Sequence, residues 1–173
     1  MNIDVIKANY LNSRHEKEIK ELLNIYASDP MGLGKPLDNK VRENIVKELS
    51  KLPYAFSLIA YVKGEPAGLA NCFESFSTFA CKPLINIHDF IVLEQYRGNG
   101  VSQKMLNKVE EIAISKCCCK ITLEILSNNE AAKASYKKFG FISYELDPKA
   151  GVALFWQKMI TEDSKFNEKH RNR

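Results

Sequence analysis

Residues 95–102 read Gln95-Tyr96-Arg97-Gly98-Asn99-Gly100-Val101-Ser102. They join the end of an apolar run over residues 85–93 to a segment over residues 101–116 whose apolar spacing predicts a helix. Glycines at i and i+2 leave backbone without side chains where that helix starts, so several N–H groups can point at one anion. A diphosphate fits that description. A tight turn between strand and helix would use the same two glycines. A dinucleotide fingerprint needs a third glycine at position 103, where the chain has Gln103, and a P-loop needs a Gly-Lys-Ser/Thr that does not follow Gly98.

The chain has 173 residues, 45% of them hydrophobic, which is the size of one ordinary domain able to bury a core without staples. No run approaches the ~18 apolar residues of a membrane span, and Met1-Asn2-Ile3-Asp4 lacks the basic-then-apolar pattern of a signal peptide. A soluble cytoplasmic protein with no membrane partner is expected. Five cysteines (Cys72, Cys81, Cys117, Cys118 and Cys119) are odd in number and have no Cys-x-x-Cys spacing, which argues for free thiols. His15, His88 and His170 have no paired spacing, so no metal is expected. The net charge of +4 is scattered, and its two basic blocks, Lys133/Lys137/Lys138 and Lys169/Arg171/Arg173, are not interleaved with aromatic residues. No nucleic-acid partner is indicated, whereas basic groups beside an anionic cofactor would serve.

Periodicity predicts a strand at 3–8, helices at 16–27 and 38–50, and a hairpin of strands 56–62 and 67–73, the second extending toward 79. A strand at 84–93 precedes the glycine loop and its helix, and a strand at 120–126 follows. Asn128-Asn129-Glu130 opens a last helix that Gly140 ends, and strands at 141–145 and 152–159 close a domain of residues 1–160. Residues 161–173 are a polar tail expected to fray. By itself this order describes an α/β domain with a mixed sheet.

A second motif lies downstream: Asn129-x-x-Ala132-x-x-x-Tyr136-x-x-x-Gly140-Phe141. With Gln95-x-x-Gly98-x-Gly100 it resembles the two diagnostic motifs of the GCN5-related N-acetyltransferases, over roughly residues 56–160. The stretches Asp29-Pro30-Met31-Gly32 and Gly68-Leu69-Ala70-Asn71-Cys72-Phe73 are similar to a bacterial branch of unassigned substrate. The resemblance implies an α/β (α+β) fold, a single domain whose mixed, mostly antiparallel sheet is flanked by helices. It also implies an acyltransferase that uses acetyl-CoA as cosubstrate, acting alone or as a homodimer.

Carried onto this chain, the resemblance makes Arg97, Gly98, Asn99, Gly100, Val101 and Ser102 the pyrophosphate cradle, with Phe90, Ile91 and Val92 the strand beside the pantetheine arm. Asn129 becomes a cofactor contact as well as a helix cap. Tyr136 becomes a cofactor contact and the acid that protonates the leaving thiolate, although its helical spacing also suits a buried structural tyrosine. An amine acceptor must lose a proton before it attacks a thioester. Ile87-His88-Asp89-Phe90 offers His88 as the base, with Asp89 second, and a regular strand would turn only one of them toward the acceptor.

The resemblance also puts the acceptor beside Met31, Leu33, Asn71 and Glu74, with Phe76 and Trp156 nearby. A small-molecule primary amine is the expected acceptor. A protein lysine or N-terminus is the alternative, and so is a regulatory module that binds acetyl-CoA without turnover.

Overall fold

The computed structural model describes residues 2–144, 149 and 153–160. The chain falls into two units, residues 1–141 and 142–173. The first unit holds every α-helix and β-strand among the described residues. In order these are β1 (Ile3–Lys7), α1 (Ser13–Ser28), α2 (Asn39–Ser50), β2 (Ala55–Val62), β3 (Glu65–Ser77), β4 (Lys82–Val92), α3 (Val101–Ser115), β5 (Ile121–Leu123) and α4 (Glu130–Phe139).

Local chemistry sets several of these boundaries. The Asn12 side chain accepts from the amides of Arg14 and His15, so α1 starts three residues earlier than its apolar spacing suggests. Asp38 caps α2 in the same way, and Asn129 caps α4. Gly140, at φ 106°, ends α4 in the left-handed conformation. The strand expected at 120–126 is short, spanning Ile121–Leu123, with the Lys120 carbonyl just ahead of it accepting from the Ile85 amide.

The five strands lie in chain order, antiparallel from β1 through β4, with β5 parallel to β4. The mixed, mostly antiparallel sheet expected from the resemblance is therefore present. Of the two closing strands, residues 141–144 and 153–159 lie in neither helix nor strand. Their other members, and the tail after residue 160, lie outside the described residues.

Strand alternation gives the sheet two apolar faces. Phe56, Leu58, Ala60, Ala70, Cys72, Ile85 and Ile87 pack with Val101, Met105 and Val109 of α3 on one face. Ile59, Tyr61, Leu69 and Ile91 pack with Ile19, Leu22 and Leu23 of α1 and Val46 of α2 on the other. Each fully buried Leu or Ile contributes about 1.5–3 kcal/mol, so both layers hold the sheet firmly.

Along β4 the parity changes. Ile85 and Ile87 belong to the α3 face, yet Ile91 belongs to the α1/α2 face. The cause is a bulge: Asn71 pairs with Asp89 and Cys72 with Ile87, so His88 is an extra residue on β4.

Candidate active site

The bulge decides how the acid–base candidates are presented. On a regular strand His88 and Asp89 would point to opposite faces. Here the His88 ring meets the Phe73 ring edge-on at 5.6 Å, and Asp89 Oδ2 accepts from Asn71 Nδ2 at 2.9 Å. Asn71 and Phe73 are two apart on β3 and share a face, so His88 and Asp89 both lie on the α1/α2 side. Asp89 is half-buried and His88 is exposed.

β5 ends at Leu123, opposite Ile87, while β4 runs on to Val92. Among the described residues no strand pairs with that edge of β4 over residues 88–92; the Val92 carbonyl is engaged by Arg97 Nε, and the main chain ahead of it is open to an added extended segment. The Phe90 ring packs edge-on against Tyr136 of α4 at 5.9 Å, which brings the second motif to the same edge.

Tyr136 is half-buried between Phe90 and Phe141, and its hydroxyl has no partner among the described residues. Burial, with the nearby Tyr26 phenol, raises its pKa above the ordinary phenol value. The group stays protonated and able to donate. Tyr26 of α1 is itself raised by burial and by the charges of Asp89 and Asp29, so it lies between the strand carboxylate and the α4 phenol.

The glycine loop follows a short 3-10 turn at Glu94–Tyr96. Gly98 and Gly100 have φ 75° and 83°, a conformation that side chains with a Cβ rarely adopt. Gly100 is also the N-cap of α3. The amides of residues 98–103 have no acceptor among the described residues; the first helical bond is Lys104 N–H to the Gly100 carbonyl. Six unspent donors at a helix N-terminus suit a diphosphate.

The flanking polar groups are partly committed. Ser135 donates to the Ser102 hydroxyl at 3.1 Å and so ties α4 to α3. The Asn99 side chain donates to the Arg97 carbonyl, and Asn129 Oδ1 accepts from the Ala132 amide, while its Nδ2 has no partner among the described residues. Arg97 donates from Nε to the Val92 carbonyl at 3.0 Å and approaches Asp29 at 3.3 Å, so its guanidinium is anchored beside the cradle.

The predicted acceptor residues are not brought together. Met31 and Leu33 are exposed on the loop between α1 and α2. Asn71 is 3% exposed and stands behind Asp89 rather than open to a ligand. Glu74 points to the other side of the sheet, where Lys116 at the end of α3 holds it at 2.8 Å. Trp156 belongs to the second unit.

Sequence reasoning gave no role to Tyr26, Ser57 or Tyr10, and quoted Asp29 only within the Asp29-Pro30-Met31-Gly32 stretch. Tyr26 fits the apolar spacing of α1, while Ser57 is a polar residue inside an apolar run. Asp29 organises the α1–α2 loop: its side chain accepts from Met31 N–H, and its carbonyl from Gly32 and Gly34. A Cβ on Gly32 would lie 2.2 Å from the Tyr26 carbonyl oxygen, so the loop requires glycine there.

Comparison with known proteins identifies the family and the fold. The chain is 32% identical over 96 residues to the bovine (Bos taurus) thialysine N-epsilon-acetyltransferase, a match covering 51% of this chain and 56% of that protein. It is 38% identical over 56 residues to the mouse (Mus musculus) enzyme of the same name, covering 32% of this chain and 33% of that one. The chain thus spans between about a third and about a half of the length of these curated relatives.

Among solved structures, an integron cassette protein from the mobile metagenome of V. cholerae superposes with a TM-score of 0.75 at 15% identity, covering 97% of this chain and 99% of that one. Aminoglycoside N-acetyltransferase AAC(6')-Iy, in complex with a bisubstrate analog, superposes with a TM-score of 0.72 at 16% identity, covering 92% of this chain and 100% of that chain. At such identities the likeness is one of fold. A family model described as acetyltransferase (GNAT) family matches residues 19–141, most of the chain, and the chain belongs to that family.

Proposed function

We propose that this protein transfers the acetyl group of acetyl-CoA to a primary amine of a small molecule, by direct attack in a ternary complex. The observation that carries the reading is the β4 bulge. It turns His88 and Asp89 to one face, while the same strand's open edge runs to Tyr136 and toward the Gly98–Gly100 amides. Acid, base and anion cradle thus converge on one segment of main chain.

The cosubstrate supplies a thioester, an acyl group already activated toward nucleophiles. The free amides of residues 98–103 hold its diphosphate, with Arg97 and the Ser102 hydroxyl alongside. Main chain at Phe90, Ile91 and Val92 aligns the amide-rich arm as an added strand would. Asn129 Nδ2 is free to donate to the same arm.

On the opposite side, Asp89 attracts the cationic acceptor, and His88 removes its proton directly or through water, which frees the nitrogen lone pair. As the carbon–sulfur bond breaks, Tyr136 gives its proton to the departing thiolate. The raised phenol pKa keeps that proton in place across the neutral range. Met31 and Leu33 border the acceptor from the α1–α2 loop, and the names of the curated relatives support a small amine.

The test is a panel of polyamines, amino sugars and amino-acid derivatives incubated with acetyl-CoA and read by free thiol release. Turnover with members of this panel, and none with lysine-containing peptides, is expected. Efficient acetylation of a peptide or protein N-terminus with silence across the small amines would replace this reading with a protein acetyltransferase. Silence with both, despite tight acetyl-CoA binding, would leave a binding module.

A further inference from the structure

A row of buried polar side chains crosses the sheet beneath Asp89. Ser57 of β2 is the register partner of Asn71 of β3, and Asn71 is the register partner of Asp89 of β4. Ser57 is 0% exposed. Its hydroxyl donates to Asn71 Oδ1 at 2.6 Å, and Asn71 Nδ2 donates to Asp89 Oδ2 at 2.9 Å. At the far end the Tyr10 hydroxyl lies 2.9 Å from Ser57 Oγ.

The donors can be assigned by elimination. An amide oxygen accepts only, so the single Ser57 proton goes to Asn71, and Tyr10 must donate to Ser57. The Asn71 amide cannot be reversed, because its oxygen would then face the Asp89 carboxylate. Every proton in the row therefore points one way, from Tyr10 through Ser57 and Asn71 to Asp89. Neutral polar groups buried in an apolar layer are costly unless paired, and each of these is paired only through its neighbours.

We infer that Tyr10, Ser57 and Asn71 are positioning residues that clamp Oδ2 of Asp89 and leave Oδ1 aimed at the acceptor amine. The inference rests on the proposed amine acetylation for its kinetic consequences, but the hydrogen-bonded row stands on geometry. Oδ1 has no partner among the described residues. Among the described residues the Asn71 amide is the one hydrogen-bond donor to the carboxylate; the Tyr26 phenol of α1 lies near it and makes no bond to it, so the orientation of Asp89 depends on the row. The bulge cooperates with it: the same step that brings His88 to this face leaves Asp89 in register with Asn71.

The test is a mutant cycle read in three ways. Ser57→Ala and Tyr10→Phe each remove a hydroxyl remote from the pocket, while Asn71→Leu removes the contact to Asp89 itself. Kinetically, acceptor kcat/KM should fall about 10-fold or more in Asn71→Leu and by smaller, graded factors in Ser57→Ala and Tyr10→Phe, since a hydrogen bond to a charged group is worth more than one between neutral groups. Acetyl-CoA affinity should stay unchanged, which verifies that each variant is folded. In an Asp89→Asn background the Ser57→Ala and Tyr10→Phe losses should vanish; equal losses in both backgrounds would show a merely structural role and overturn the inference.

The third readout needs no turnover. The side-chain amide resonances of Asn71 should be protected from exchange in the wild type and should shift in Ser57→Ala, Tyr10→Phe and Asp89→Asn. Unmoved resonances overturn the inference whether or not any amine is acetylated, whereas shifted resonances with a silent amine panel uphold the row and refute only the acetylation reading.

Discussion

Arg97 and Asp29, 68 residues apart in sequence, meet at 3.3 Å and join the α1–α2 loop to the glycine loop. The pair is partly exposed, so its direct contribution is small. Asp29 does more through its bond to the Met31 amide and its carbonyl bonds to Gly32 and Gly34. Asp29→Ala should lower the thermal midpoint by about 2–4 °C, the shift expected for loss of roughly 1 kcal/mol of capping in a domain of this size. It should also raise the acceptor KM several-fold. Asp29→Asn, which keeps an acceptor for Met31, should restore the midpoint; a wild-type acceptor KM in Asp29→Ala would detach this loop from the acceptor site.

Gly100 should be indispensable to cofactor binding. Its φ of 83° is a conformation that residues with a Cβ rarely adopt, so a β-branched side chain there would distort the backbone that carries the amides of residues 98–103. Gly100→Val should weaken acetyl-CoA binding about 100-fold or more by calorimetric titration. Unchanged affinity would remove the basis for assigning the diphosphate to this loop.

Tyr136→Phe should lower kcat by roughly 10²-fold with little change in acetyl-CoA affinity, the signature of a group needed only as the thiolate departs. The direction of its pKa gives a second check. A raised phenol remains protonated past the ordinary value near 10, so the acid is present throughout the neutral range and is lost only above it. The kcat profile should therefore show no descending limb between about pH 7 and 10. A wild-type kcat in Tyr136→Phe would assign the proton to water or another donor.

His88→Ala should lower kcat by roughly 10²-fold with little change in acetyl-CoA affinity, as loss of a general base does. Asp89→Asn should instead raise the acceptor KM more than it lowers kcat. A near wild-type kcat in His88→Ala, with the large loss of kcat in Asp89→Asn, would exchange the two roles.

The elements themselves were largely legible in the chain. The spacing of Ile19, Leu22 and Leu23, the Lys63-Gly64-Glu65-Pro66 turn, the Gly98–Gly100 pair and the Asn129 cap each act within a few residues, and α1, the β2–β3 hairpin, α3 and α4 appear where these signals place them. The anion cradle belongs to the same class, because positive-φ glycines ahead of an amphipathic helix carry their own geometry. Of the closing strands at 141–145 and 152–159, the described residues lie in neither helix nor strand; a strand, unlike a helix or a cap, needs a partner from elsewhere in the chain.

Which side chains share a pocket was decided only in three dimensions. Alternation predicts that His88 and Asp89 diverge; one extra residue opposite Asn71–Cys72 reverses that, and a bulge is a mismatch between strands that neither strand records alone. The same register puts Ser57, Asn71 and Asp89 in one row and sends Glu74 across the sheet to Lys116. Tyr26, an apolar position by its spacing, becomes the neighbour of Asp89 and Tyr136 because α1 packs over β4. Local chemistry, written in adjacent residues, determined the helices, the caps and the glycine cradle. The acid–base pair and its buried support depend on strand register and layer packing, which are set by contacts between residues distant in the chain.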